Sequence, residues 1–320
     1  MKKIIKSMLL VIGVPVLYAL VLRYIFGIHV FKDFVQVMSA TFFISLPVGV
    51  GILTIAFSNI ESVKKVSYRV FMPWVPIICF FVLTLALSIE GWACWIMIMP
   101  VFLILSSIGG LIGGYFKLKR HSKSNRLSVS FALLIPVAMF PVEDSIDFAP
   151  GQYETYTYID IQAPLQTIWS NVLRVKTISA KEDKGVLTAL LGFPRPLHAE
   201  LNYTGVGASR KAVFTRGLVF DEVVLNYEDK KSMHFSIKAN TYSIPSATLD
   251  KHLLIGGDYF NVTDGTYQLQ QLNSNTCRLH LYSHFTVSTS FNFYAAMWAG
   301  WIMKDIQNNI LQVVKHRCGP

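Results

Sequence analysis

The sequence predicts a multi-span α-helical membrane region followed by an α+β domain, in which a curved antiparallel sheet wraps a long C-terminal helix. Three observations predict it. Residues 1–142 hold five apolar runs separated by short basic loops. After Pro150 the pattern changes to the two-residue alternation of half-buried strands. The chain then closes on "AAMWAGWIMKDIQNNILQVVKHR", residues 295–317, whose apolar positions recur with helical period.

The apolar runs cover residues 8–28, 34–57, 70–89, 92–116 and 127–142. A hydrocarbon core of ~30 Å needs about 20 residues at ~1.5 Å each, and the first four runs meet that length. The fifth, "LSVSFALLIPVAMFPV", contains Pro136 and Pro141. As a helix it reaches only about 24 Å. It is expected to span with Arg126 snorkelling and the bilayer thinned, the alternative being a segment that dips in and returns. "MKKIIK" and the run behind it resemble a signal peptide. No small-x-small site follows and further spans do, so it is expected to stay as the first span. "GGLIGG" (109–114) is a charge-free signal for close helix packing.

The net charge of +10 suggests a nucleic-acid partner until it is divided. Residues 1–142 carry 13 Lys and Arg against 3 acids, while residues 143–320 carry 16 of each sign. The excess belongs to the membrane loops, so no nucleic-acid partner is expected. Eleven of these basic residues fall on the side of the N-terminus, with Lys32 alone on the other. The N-terminus is therefore expected in the cytoplasm. With five spans, everything after Glu143 lies outside it. No ionisable cluster marks an ion route through the helices, and the region reads as an anchor.

Beyond a linker at 143–152, "YETYTYIDIQA" reads as a strand and "APLQTIWSNVLRV" as a helix with Pro164 at its first position. A short helix is expected over 179–190. Strands follow at 198–204, 209–216, 218–228, 231–240, 265–272 and 276–287, divided by turn signals such as "GVG" and "NSN". Met233, Phe235, Ile237 and Ala239 share one face; Leu279, Leu281, Ser283, Phe285 and Val287 share another. Such a sheet needs cover on its apolar side.

The closing helix supplies the cover. Lys304, Asp305, Gln307, Asn308 and Asn309 in its middle would be costly in a bilayer core. Ala299, Ile302, Met303, Ile306, Ile310, Val313 and Val314 form a broad apolar face instead. Thr289 or Ser290 is expected to cap its start. Tyr294, Trp298 and Trp301 make a second stripe, which fits ordinary packing, a cavity rim or a membrane interface.

This order of elements, with "IDIQAPLQTIW", "GFPRPLHAEL", "GVGASRKAVFTRGLVFDEV", "LDKHLLIGGDYFNVTDGTY" and "FNFYAAMWAGWIMKDIQNNILQVVKHR", resembles the START/SRPBCC superfamily. The likeness covers residues 153–317 and is similar to a bacterial group that places such a domain behind several membrane spans. It implies the helix-grip fold and an apolar cavity used for lipids, sterols or polyketide-like ligands; the spans and loop charges add a place in the cell membrane with the domain extracytoplasmic. Phe235, Ile237, Leu281, Phe285, Ile302 and Ile306 are then candidate cavity walls, with Trp298 at an entrance. The implied partner is a lipid or other apolar small molecule. A cyclase- or dehydratase-like enzyme and a sensory or scaffolding protein are the alternatives.

Polar candidates are few. Glu222 facing inward would hold a ligand hydroxyl or act as an acid, and Arg210 would anchor a head group; outward, solvated positions are the commoner fate of both residue types. His252, near Asp250, Asp258 and Asp264, fits either a proton carrier over the cavity mouth or a turn-rich loop. His280 and His284 stand four apart on a strand, about 13 Å at ~3.3 Å per residue, too far to share one ion. Neither a metal site nor a cofactor is expected: phosphate loops, dinucleotide fingerprints and zinc motifs are all missing from the sequence. Cys79, Cys94, Cys277 and Cys318 lack metal spacing; isolated thiols or a Cys277–Cys318 bridge remain open.

Overall fold

Apolar helices build the first part of this computed structural model, which describes residues 7–27, 39–119, 126–144, 149–240 and 255–319. The chain divides into two units, Met1–Phe148 and Ala149–Pro320. In the first, a π-helical turn at Leu9–Gly13 leads into α1 (Val14–Gly27). There follow α2 (Ala40–Phe57), α3 (Ile60–Val63), α4 (Val66–Phe71), α5 (Trp74–Ala86), α6 (Trp92–Lys119) and α7 (Arg126–Asp144). Among the described residues four stretches are long and apolar enough to cross a membrane: Leu9–Phe26, Ala40–Phe57, Val66–Ala86 and Trp92–Lys119. The fifth apolar run of the sequence forms α7, with Pro136 and Pro141 inside it.

Helix α2 contains no charge and is buried along most of its length. Its ends must therefore find partners for backbone groups that no helix can satisfy internally. At the start, Ser39 Oγ accepts from Phe42 N (3.1 Å), while the Glu143 carboxylate accepts from Ala40 N (2.7 Å) and Thr41 N (2.8 Å). At the finish, Lys117 Nζ donates to the carbonyls of Ile55 (3.2 Å), Ala56 (2.7 Å) and Ser58. Each charge opposes the helix dipole at its end. Arg23 pairs with the buried Glu90.

Glycines set the spacing around α6. A Cβ on Gly109 would lie 2.1 Å from the Val48 carbonyl oxygen, and one on Gly110 would lie 2.1 Å from that of Arg69. The "GGLIGG" run thus turns Gly109 and Gly113 to α2, and Gly110 and Gly114 to Arg69 of α4. Pro73 interrupts the third stretch because it has no N–H to donate. Ser107 of α6 donates to the Val70 carbonyl beside the break (2.9 Å).

Among the described residues the second unit is one seven-stranded antiparallel sheet with three α-helices and a 3-10 turn at Thr215–Gly217. Its strands are β1 (Gly151–Ile161), β2 (Pro196–Leu201), β3 (Ser209–Phe214), β4 (Val219–Glu228), β5 (Ser232–Asn240), β6 (Phe260–Gln271) and β7 (Cys277–Val287). Their spatial order is β1-β7-β6-β5-β4-β3-β2. Helices α8 (Leu165–Leu173) and α9 (Val186–Leu191) lie between β1 and β2, and α10 (Asn292–Arg317) closes the chain. Register shifts at Pro196/His198, Val224/Asn226 and Val262/Asp264 interrupt three pairings. Such bulges increase twist and bend the sheet. The alternation expected for β7 holds, with Leu279, Leu281, Ser283, Phe285 and Val287 all buried.

Two local expectations are corrected. Only Val186–Leu191 of the expected 179–190 helix is helical. The residues before it are strapped to α10 instead: Glu182 pairs with Arg317 (2.8 Å), Asn309 bonds Asp183 and Lys184 N, and Asp305 accepts from Val186 N and Thr188 N. Neither Thr289 nor Ser290 caps α10. Asn292 Oδ1 instead accepts from Thr289 N (2.7 Å) and Thr289 Oγ1 (3.0 Å), which leaves the Thr289 hydroxyl turned toward Phe291 N. All four cysteines are free thiols, which closes the question of a Cys277–Cys318 bridge.

Candidate functional site

Helix α10 meets the sheet differently along its length. Near its C-terminus Leu311 and Val314 join Trp169, Val172, Met233 and Leu279 in a solid apolar core. In its middle, Met303, Ile306, Gln307 and Ile310 face a hollow. The opposite walls are Ala212 and Phe214 of β3, Phe220 of β4, Phe235 and Ile237 of β5, and Leu281 of β7, with Ile178 and Ile255 at loops. The empty space is about 770 Å³, a volume that includes its open mouth. Phe235 lies flat across β6 because its cross-strand partner is Gly265, where a Cβ would come within 2.7 Å of the ring.

Among these mostly apolar walls stands one buried ion pair. Arg210 and Glu222 are cross-strand neighbours on β3 and β4, and each is 3 % exposed. Arg210 Nη1 donates to Glu222 Oε2. The guanidinium also lies 5.5 Å from the Phe235 ring centre and 5.9 Å from that of Tyr267, within cation–π range. Burial pushes the Glu222 carboxyl above the usual carboxylate range, and Arg210 pulls against that shift. Burial works against the arginine's charge too, but Glu222 and Tyr267 hold it cationic. Arg210 Nε is buried and has no hydrogen-bond partner among the described residues.

A second polar element fixes the wall itself. Gln307 Oε1 accepts from Thr157 Oγ1 (2.9 Å), and its Nε2 donates to Ser283 Oγ (2.9 Å) and the Thr155 carbonyl (3.2 Å). One amide side chain thereby joins α10 to β1 and β7. Buried polar groups cost free energy unless bonded in this way.

Of the sequence candidates, Phe235, Ile237, Leu281, Ile306, Arg210 and Glu222 line the hollow together. Both charged residues point inward, against the commoner outward orientation expected for each. Phe285 is buried against Tyr153 and Phe260, Ile302 is buried on α10, and Trp298 packs edge-to-face on Trp301 at 5.1 Å; none of these three is a lining residue. His252 lies outside the described residues. His280 and His284 sit on the outer face of β7. There His284 bonds Asp264 (2.6 Å) and Glu154 (3.1 Å) on the flanking strands. Among the described residues no group of three acid, His or Cys side chains could hold a metal.

Sequence reasoning passed over Tyr267, Ser283, Gln307 and His198 as lining residues. For Arg210 and Glu222 a usable signal existed. Arg210 is in strand phase with Ala212 and Phe214, and Glu222 with Phe220 and Val224, so the inward apolar positions carry the two charges along.

A curved antiparallel sheet closed by a long C-terminal helix over a hollow defines the class: the second unit has the helix-grip fold. Similar folds appear among solved structures. Norcoclaurine synthase from Thalictrum flavum is 13% identical over 53% of this chain and 97% of its own, with a TM-score of 0.31. A conserved protein from Geobacillus kaustophilus is 12% identical over 52% of this chain and 95% of its own, with a TM-score of 0.33. DynU16, from the dynemicin biosynthetic locus, is 16% identical over 50% of this chain and 46% of its own, with a TM-score of 0.28. No family model and no curated protein matches the chain.

Proposed function

We propose that the protein is a membrane-anchored binding module, which holds a lipid or other hydrophobic small molecule in the hollow between α10 and the sheet. One observation carries this reading: an apolar-walled space with a single buried charged pair at its side. Burial of apolar ligand surface would supply the affinity, at roughly 25 cal/mol per Å². The Arg210–Glu222 pair in the wall would fix the orientation by meeting a polar group of the ligand. The four apolar stretches of the first unit support the anchor. Their outward residues, among them Leu17, Val82 and Ile104, are exposed hydrophobics that lipid would cover. The bacterial group with such an anchor, the cytoplasmic N-terminus and the extracytoplasmic domain all belong to this proposal.

A cyclase- or dehydratase-like reaction in the same space is the second reading. It draws on the raised Glu222 carboxyl, a property of general acids. Its weakness is that Arg210 already engages that carboxylate.

Native mass spectrometry of the detergent-purified full chain tests the binding reading. An apolar molecule is expected to co-purify, and Ile306→Trp or Ala212→Phe, which fill the space from opposite walls, should reduce its occupancy at least about ten-fold. A chain that arrives empty from native membranes and takes up no apolar probe would overturn it.

A further inference from the structure

We infer that the hollow takes uncharged ligands, apolar molecules with a hydroxyl or carbonyl oxygen, and rejects amphiphiles with an ionised head. Arg210 and Glu222 set this choice. The inference rests on the binding reading above and names the ligand class of the same site. Among the described residues these two are the Lys, Arg, Asp or Glu side chains that line the space, and their signs are opposite. They are cross-strand neighbours, and Arg210 Nη1 donates to Glu222 Oε2, so the wall carries no net charge. His198 also lines the hollow, and its charged form would have the Glu200 carboxylate 3.9 Å away.

A matched pair discriminates against ions of either sign. A ligand carboxylate that reached Arg210 would lie beside Glu222, two negative charges against one positive. A ligand ammonium at Glu222 would make the mirror arrangement with Arg210. Each cluster holds one buried charge without a counter-ion, which costs far more than the pair alone. Like charges brought together in this way are a general means of excluding wrong partners. The pair does not turn out to water to make room. Both side chains are buried, and the guanidinium is held within cation–π range of Phe235 and Tyr267. An uncharged oxygen adds no net charge. The hydroxyls of Tyr267 and Ser283 line the same space, and a hydroxyl both donates and accepts. A ligand that kept its ionised head in water at the open mouth would escape this selection, and the test separates that case.

Competition native mass spectrometry of the detergent-purified full chain is the test, at about pH 8, where both ionic heads are charged. Dodecanol, dodecanoate and dodecylammonium are offered together at equal concentration, with the alcohol deuterated to separate the masses. Each occupancy is divided by the partition of that compound into empty micelles. Wild type is expected to take the alcohol over either ion by at least about ten-fold. Glu222→Gln keeps the shape of the side chain and leaves Arg210 unmatched. It should raise the ratio of dodecanoate to dodecanol at least about ten-fold. An ion taken up as readily as the alcohol by wild type overturns the inference, because its head then stays in water at the mouth. A ratio that Glu222→Gln leaves unchanged overturns it too. If that variant does not fold, the wild-type comparison decides alone. Equal uptake of all three leaves the binding reading standing and removes only the choice by charge. If none of the three binds, the binding reading fails as well.

Discussion

In the first unit charged side chains stand at or near helix ends, whereas in the second they tie the closing helix to other elements or lie inside the sheet. Glu143 and Lys117 close the two ends of α2, and the rest of that helix satisfies its own backbone. In the second unit Asp305, Asn309 and Arg317 tie α10 to residues more than 100 positions earlier, and Arg210–Glu222 lies inside the fold. Apolar surface follows the opposite course. It turns outward from the first unit and inward, around a hollow, in the second. Both units obey one rule, that a buried polar group needs a partner. Within a helix the backbone meets it locally, while the ends of α2 and the gripped helix α10 meet it through tertiary contacts. Damage to the first unit should therefore come from lost close packing, and damage to the second from lost polar partners.

The largest effect is expected at the ion pair. Glu222→Ala leaves Arg210 buried without its counter-charge and should destabilise the second unit by about 3–5 kcal/mol. Arg210→Met with Glu222→Leu should restore most of that loss, as hydrogen exchange in β3 and β4 would report, while ligand occupancy stays low. Comparable damage from the single and double variants would count against the pair as the cause.

Next comes Gly109→Ala in the first unit. Its new Cβ would meet the Val48 carbonyl oxygen, so α2 and α6 must separate. A loss near the upper end of the 1–3 kcal/mol range for overpacking is expected. Exchange should rise in α2 and leave the second unit protected; a loss spread over both units would erase the distinction drawn here.

Gln307→Leu keeps the apolar wall and removes three hydrogen bonds, leaving the Ser283 and Thr157 hydroxyls without that partner. About 1–3 kcal/mol should be lost, seen as a lower unfolding midpoint. An unchanged midpoint would show that the amide does not join α10 to the sheet energetically.

Smaller effects should appear in the pH profile of the second unit. Bonds from Arg317 and Ser179 pull Glu182 down to about 2. Its contribution is present above the unfolded value near 4.3 and fades as pH falls toward 2. The Asp264 hydrogen bond, aided by Glu154, raises His284 above its ordinary value. That contribution is full below about 6.5 and is lost as pH rises through the raised value. Glu182→Gln should flatten the acid limb alone, and His284→Asn the neutral limb alone. The smallest change expected is a gain. Gly300 sits within α10 with open space around its Cα, so Gly300→Ala should stabilise the helix by about 0.5–1 kcal/mol.

Periodicity alone determined much of this protein: the apolar helical stretches, the strands, and a final helix too polar in its middle for a bilayer. Those properties follow from neighbours one to four residues apart, which any sequence displays. Strand phase also held the inward orientation of Arg210 and Glu222, although single-residue expectation ran against it. Gln307 and Asn309 were a different case. The sequence marked both only as costly in a bilayer core, and the register of α10 against Thr157, Ser283 and Asp183 buries them. The same register decided that Ile306 faces the hollow while Ile302 and Phe285 pack into solid core. A contact between residues more than 100 positions apart leaves no trace in local pattern, because it depends on where the bent sheet meets the helix.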